Sequence, residues 1–252
     1  MARELHLRGI ALPHVRAGDD LAGLILAALS EYDNKLRAGD VLVIAQKVVS
    51  KSEGRQVRLA DVRPCDRALE LSKVTGKDAR LVELVLSESS EVLRAKRDVL
   101  IVAHRLGFVM ANAGVDQSNI EDGDASALLL PLDPDASCRR LREALQARTG
   151  VQVGIVMNDS HGRAWRNGAV GVCIGAAGLP ALLDMRGLPD MFGRQLKVTE
   201  VGVADEIAAA ASIVMGQADE GIPVVLCRGL TYPARDGSAA ELVRPRQLDM
   251  FR

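Results

Sequence analysis

Two short segments hold most of the chemistry-bearing residues of this chain: Ala113-Gly114-Val115-Asp116-Gln117-Ser118-Asn119 and Asn158-Asp159-Ser160-His161-Gly162-Arg163-Ala164-Trp165-Arg166. Each sets an aspartate beside hydroxyl or amide side chains and close to glycine. Such oxygens are hard donors suited to Mg²⁺ or a similar cation, and glycine lets backbone N–H groups approach a phosphate without a Cβ in the way. Arg163 and Arg166 add planar guanidinium groups that grip phosphate or carboxylate oxygens two at a time. A cationic run, Lys47, Lys51, Glu53, Gly54 and Arg55, follows the apolar stretch ending at Ala45 and suits a triphosphate. Ordinary readings compete with each segment: an Asx-turn at Asp116, a turn-rich loop with solvated arginines at 159–166, and a solvated charged run at 47–55. His161 reads as a polar loop residue rather than a metal ligand. Two aspartate segments weigh more than one, because Mg²⁺ takes one or two carboxylates and leaves its other positions to water and phosphate. Together they point to metal-assisted nucleotide chemistry.

The familiar nucleotide cradles are missing. Gly76-Lys77 is followed by Asp78, and position 71 is Leu where a P-loop needs its first glycine. The glycines at 168, 171, 175 and 178 do not fit G-x-G-x-x-G. Composition narrows the field further. Aromatic residues make up 2% of the 252-residue chain, too few for a base-stacking platform, and a net charge of −1 gives no bulk basic field for a polyanion, so no nucleic-acid partner is expected. Cys65, Cys138, Cys173 and Cys227 are scattered, with no paired spacing, and read as reduced, mostly buried thiols. No leader pattern opens the chain and no apolar run approaches the ~20 residues of a membrane span, so a cytoplasmic protein without membrane contact is expected.

The positioning elements follow from periodicity. Asp19-Asp20 caps an amphipathic helix carrying Leu21, Leu24, Ile25, Ala28 and Leu29, and Gly39-Asp40 launches a buried strand over 41–45. A helix is expected over 81–96, a strand over 98–103, a turn over 131–135 and a basic amphipathic helix over 137–148. Strands are expected over 151–157, 170–174 and 223–227, with an alanine-rich helix over 205–215. Helices and strands alternate irregularly, which predicts a mixed α/β (α+β) unit over 1–252, as one body or two intimately packed lobes.

Set side by side, these segments resemble the coenzyme F420:L-glutamate ligase family. The resemblance runs through 9–13, 18–21, 45–51, 113–119, 130–137, 159–166 and 203–210, in order and across nearly the whole chain. It implies an unusual α+β ligase fold with mixed or antiparallel sheets, neither Rossmann nor P-loop, forming intertwined homodimers. It also implies a GTP-dependent ligase that joins L-glutamate to a deazaflavin precursor, without the flavin-binding reductase-like domain that follows in some relatives. By the family pattern, Leu12, Pro13, His14, Val15, Gln46, Lys51 and Asn119 contact the guanine nucleotide. So does the run Met215, Gly216, Gln217, Ala218, Asp219, Glu220, Gly221 and Ile222. Asp116 and Asp159 share one divalent cation, Mg²⁺ or Mn²⁺, and Ser160 with Gln217 holds a second; a monovalent cation, K⁺, belongs to the same expectation. Lys51, Arg163 and Arg166 are the candidate catalytic cations. His14 and His161 stand where the family varies, and Ser160 replaces a common threonine while keeping the hydroxyl. A metal-dependent phosphohydrolase and a non-enzymatic nucleotide sensor are the rival readings of the same residues.

Overall fold

The computed structural model describes residues 4–31 and 35–250. Its centre is a five-stranded sheet of β1 (His6–Ile10), β2 (Val41–Ala45), β8 (Gly154–Arg163), β9 (Arg166–Ala177) and β12 (Val224–Arg228), in the order β1-β12-β2-β8-β9. Only β2 and β8 run parallel, aligning Val41 with Gly154 and Ala45 with Asn158; the other neighbours are antiparallel. This is the mixed sheet of an α+β protein, as expected. Strand β2 reads Val-Leu-Val-Ile because both of its faces are covered. Leu42 and Ile44 pack with Ile25, Leu29, Leu141 and Leu145 of α1 (Leu21–Glu31) and α5 (Pro134–Thr149). Val41 and Val43 pack with Ala204, Ile207, Ala208 and Ala211 of α6 (Val203–Met215). The small α6 side chains let that helix lie close to the sheet. Gly171 of β9 marks the closest approach, where an added Cβ would lie 2.6 Å from the Ala208 carbonyl oxygen.

The remaining elements form a smaller lobe between β2 and α5. Helix α2 (Gln46–Ser52) leads to a ribbon of β3 (Gln56–Arg58) with β7 (Ser126–Leu128). Helices α3 (Asp66–Thr75) and α4 (Ala79–Ser87) pack on an antiparallel sheet of β4 (Ser89–Lys96), β5 (Val99–His104) and β6 (Val109–Ala111), around Leu71, Val82, Val85, Leu100 and Val102. A short pair, β10 (Leu183–Asp184) with β11 (Glu200–Val201), precedes α6. The lobe is tied together internally through Glu88. Its carboxylate, 9% exposed, lies 2.8 Å from Arg55 and 3.1 Å from Arg105, whose guanidinium groups also donate to the Leu130 and Leu132 carbonyls. Burial alone would push the Glu88 carboxyl up, but His104, Arg55 and Arg105 hold it down at about 2.

The cap expected at α1 is present, where Asp20 accepts from the Gly23 amide, and α5 starts earlier than the expected 137, with Asp133 accepting from Ala136 ahead of Pro134. Three expectations change. The helix expected over 81–96 stops at Ser87, and its second half is strand β4, whose apolar positions pack on β5 rather than along a helix. The strand expected over 151–157 starts later and continues to Arg163, so Asp159, Ser160 and His161 stand in an edge-side hairpin and not in a loop. The strand expected over 170–174 likewise lengthens to Arg166–Ala177 because it pairs with those polar residues. The cysteines are all free, with Cys138, Cys173 and Cys227 buried and Cys65 exposed. Among the described residues no helix is long and apolar enough to cross a membrane.

Candidate functional site

Helix α2 begins at the end of the doubly buried β2, so its first two turns start at the carboxyl edge of the sheet. Lys47 and Lys51, four residues apart, therefore project from one face of α2. The loop they meet is built under strain. Asn112, Ala113 and Asn119 all adopt left-handed backbone angles, with φ of 53°, 50° and 57°, which L-residues with a Cβ avoid. Gly114, at φ 69°, lies so close to Leu130 that a Cβ would come within 2.8 Å of it. The loop is pinned by backbone bonds between Asp116 and Leu128, of 3.1 and 2.8 Å. This fixed path turns Asp116, Ser118 and Asn119 towards α2.

The Lys47 ammonium lies 2.7 Å from Asp116 Oδ2 and also donates to the Ser118 hydroxyl, while Lys51 Nζ donates to the Asn119 carbonyl at 2.6 Å. Asp116 accepts from the Ser118 amide and hydroxyl at 2.8 and 3.0 Å, so the Asx-turn is real and coexists with the ion pair. Burial pushes the Asp116 carboxyl up, yet Lys47 and the Ser118 donors outweigh it and hold it below its ordinary value. Desolvation lowers the Lys51 ammonium, and the nearby Lys47 charge lowers it further. Two crowded ammonium groups are an arrangement that an incoming polyanion relieves.

The loop after α6 joins this cluster to the β8–β9 hairpin. Asn119 Nδ2 donates to the Ala218 carbonyl at 3.1 Å, and Ser160 Oγ donates to Gln217 Oε1 at 2.7 Å, with Gln217 in turn donating to Ser212. Gln217 and Ser160, expected to act together, are thus in direct contact. Asp159 is 14% exposed at its side chain and pairs with His161 at 3.0 Å. Its neighbour Asn158 is buried, with its Nδ2 on Met215 Sδ and its Oδ1 without a hydrogen-bond partner among the described residues. In the same loop the Glu220 carboxylate curls back onto the amide of Ala218 at 2.8 Å, and such backbone N–H groups hold its carboxyl below the ordinary value. Backbone donors that converge on a carboxylate suit a phosphate oxygen equally well.

Other expected residues lie around this core. Leu12 and Val15 pack into the core beside α1, with Pro13 and His14 exposed, and Gln46 is buried, accepting from the Ser50 hydroxyl. Arg163 and Arg166 pair at the exposed hairpin tip, where Trp165 has φ 65°. Four residues of strand separate Arg163 from Asp159, roughly 13 Å at ~3.3 Å per residue, so the structure does not bring these arginines into the cluster. Sequence reading missed the side-chain contacts of Ser118 and Asn158 and the pairing of Lys47 with Asp116. The four-residue spacing of Lys47 and Lys51 would have paired them had helix α2 been read from 46–52.

The oxygen set fits a small divalent cation. Two partly exposed carboxylates, a hydroxyl and an amide oxygen are hard donors, and an ammonium already neutralises one of them. Among the described residues no group of three or more His, Cys, Asp or Glu side chains is placed to hold a metal ion. A larger cleft, of about 290 Å³ over Ile44, Ile155 and Met157, opens on another face of α2 beside Glu53 and Arg140, and none of the expected site residues lines it.

The F420-0:gamma-glutamyl ligase family model matches residues 9–229. The chain is 49% identical to the coenzyme F420:L-glutamate ligase of Methanothermobacter thermautotrophicus over 96% of each chain. It is 46% identical to the protein of that name in Methanopyrus kandleri, over 94% of this chain and 93% of the relative. With the Methanocaldococcus jannaschii protein, also so named, it shares 41% identity over 99% of this chain and 98% of the relative. Relatives this similar, over nearly their whole length, make the protein an enzyme that forms carbon–nitrogen bonds. The chain that folds α2, the strained 112–119 loop and the β8–β9 hairpin into one cluster belongs to the F420-0:gamma-glutamyl ligase family.

Proposed function

We propose that the protein uses GTP to join L-glutamate to the lactyl carboxylate of the deazaflavin precursor F420-0, then adds glutamate through γ-linkages, in coenzyme F420 biosynthesis. The observation that carries this reading is the bridge of the 216–221 loop to both aspartate segments, through Asn119 and Ser160. A carboxylate resists attack by an amine, so the γ-phosphoryl group of GTP is first transferred to it, giving an acyl phosphate and GDP. The glutamate α-amine then displaces inorganic phosphate to give the amide. Asp116 and Asp159 would hold one Mg²⁺ or Mn²⁺, and Ser160 with Gln217 a second, supplying neutralisation of the triphosphate charge; K⁺ binding belongs to the same proposal. The residues of the chain do the rest. Lys51 faces the transferring phosphoryl group, and Lys47, released from Asp116, turns to the same phosphates. The 12–15 segment, Gln46 and the 215–222 run hold the nucleotide. The strained loop keeps Asp116 and Asn119 in place before substrate arrives, so little reorganisation is needed at the moment of transfer.

The hairpin tip exposes Trp165 at 88%, and the arm between β10 and β11 exposes Met191 at 97% and Phe192 at 82%. Such side chains suit burial against a second copy, consistent with a homodimer in which Arg163 and Arg166 act near a neighbouring subunit. Sedimentation of the purified chain tests that part.

Incubation with GTP, Mn²⁺, L-glutamate and the deazaflavin precursor tests the whole reading. A mass gain of one glutamyl residue, only with all four present, supports the ligase. GTP loss without glutamate or acceptor would indicate a phosphohydrolase, and nucleotide binding without turnover a sensor.

A further inference from the structure

A cleft of about 240 Å³ opens beside the β8–β9 hairpin, between Phe108, His161, Asp205, Leu242 and Arg244. It is smaller than the ~300–1,000 Å³ of sites for drug-sized ligands, the scale of a small polar molecule. Phe108 and Leu242 give it an apolar wall. Asp205, in the first turn of α6, accepts one hydrogen bond, from the Cys173 amide at 2.8 Å. Among the described residues no Lys or Arg forms an ion pair with it. Burial raises its carboxyl above the ordinary value, against the pull of that amide and of nearby His161. A half-buried carboxylate with no Lys or Arg paired to it among the described residues is costly, and a ligand ammonium relieves that cost. Arg244, from the C-terminal strap, is exposed and has no hydrogen bond or ion pair among the described residues. The cleft also borders the phosphate-facing cluster, because His161 lines it and holds Asp159 at 3.0 Å.

We propose that this cleft seats the amine-bearing co-substrate, an α-amino dicarboxylic acid of the L-glutamate class, with Asp205 facing its ammonium and Arg244 one carboxylate. The assignment rests on the ligase reading above, since amide formation needs the amine next to the activated acyl group on the Asp159 side. Asp205 also ties α6 to β9, and Asp205→Asn separates the two roles: the asparagine oxygen still accepts from Cys173, while the negative charge is gone. The test is steady-state ligation by the full chain, by Asp205→Asn and by Arg244→Gln, with calorimetric titration of L-glutamate into each in the presence of GDP and Mn²⁺. Each variant is expected to raise KM for L-glutamate about tenfold, with KM for GTP changed less than about twofold and the melting temperature unmoved, the scale of one lost charge-assisted hydrogen bond. An unchanged KM for L-glutamate in both variants, or an equal rise in KM for GTP, would overturn the assignment. If the wild type fails to ligate, calorimetry separates the two claims. Binding that Asp205→Asn abolishes keeps the cleft and removes the ligase reading; no binding, or binding that both variants retain, removes the cleft.

Discussion

Replacing Lys47 by Met gives the most revealing perturbation of the site, because its two consequences have opposite signs. The substitution keeps an unbranched apolar stem and removes the ammonium that lies 2.7 Å from Asp116. The lysine and aspartate side chains are 25% and 40% exposed, so the pair lies between a surface ion pair, worth ~0.2–1 kcal/mol, and a buried charged hydrogen bond, worth ~1.5–3 kcal/mol. About 1 kcal/mol is a fair figure, which is about fivefold in an equilibrium constant. A divalent cation must displace the ammonium from Asp116, so Lys47→Met is expected to bind Mn²⁺ about fivefold more tightly in the absence of nucleotide. The same change removes a phosphate partner and is expected to weaken metal-free GDP binding about tenfold. Mn²⁺ titration followed by electron paramagnetic resonance, and GDP titration by calorimetry, measure the two effects. A purely structural lysine would weaken both, and Mn²⁺ affinity that falls or stays constant refutes the reasoning.

Asp116→Asn and Asp159→Asn are each expected to lower ligation to background while leaving the circular dichroism spectrum and melting temperature near wild type; near-normal turnover at saturating Mn²⁺ refutes the shared-cation proposal. Glu88 is held at about 2 against an ordinary 4.5, so its cluster with Arg55 and Arg105 contributes stability above about pH 4.5 that fades as pH falls towards 2. Linkage between about 2 folded and 4.5 unfolded contributes about 3 kcal/mol at pH 7 and still about 1.4 kcal/mol at pH 3, so urea unfolding at the two pH values should show a loss of about 2 kcal/mol which Glu88→Gln abolishes. Gly171→Ala would place a Cβ 2.5 Å from Asn158 Oδ1 and 2.6 Å from the Ala208 carbonyl, and a helix backbone cannot yield as a side-chain end can. About 1–3 kcal/mol of destabilisation is expected in denaturant melts, with none if α6 shifts freely.

The parts of the fold visible in the sequence are those where one burial pattern acts alone. Val41 to Ala45 is apolar because both faces of β2 are covered, and α1, α5 and α6 carry apolar faces with helical spacing, capped by Asp20 and Asp133 at the first two. Legibility fails where pairing, not burial, holds a strand. Asn158 to Arg163 is polar throughout, and it is a strand because β9 pairs with it residue by residue from Asn158–Cys173 to Gly162–Ala169 and, past an irregularity, at Arg163–Arg166. Ser89 to Lys96 carries Val92 and Ala95 at a spacing that fits a helix, and only the hairpin partner β5 decides otherwise. For the candidate site, residue type and order singled out the two aspartate segments. Long-range contacts such as Asn119 with Ala218, 99 residues apart, have no local signal. Arg163 and Arg166 show the reverse: their types suit phosphate, but the length of β8 carries them to the hairpin tip.

The central claim is that Asp116 and Asp159 hold one cation against the nucleotide phosphates. A crystal of the protein with GDP and Mn²⁺, mapped by anomalous scattering at the manganese edge, tests it most directly. A manganese peak is expected with a carboxylate oxygen from each aspartate in its coordination shell, at about 2.0–2.2 Å, and with the Lys47 ammonium displaced from Asp116. Manganese held by only one of the two aspartates, or a GDP seated away from the 216–221 loop, would contradict it.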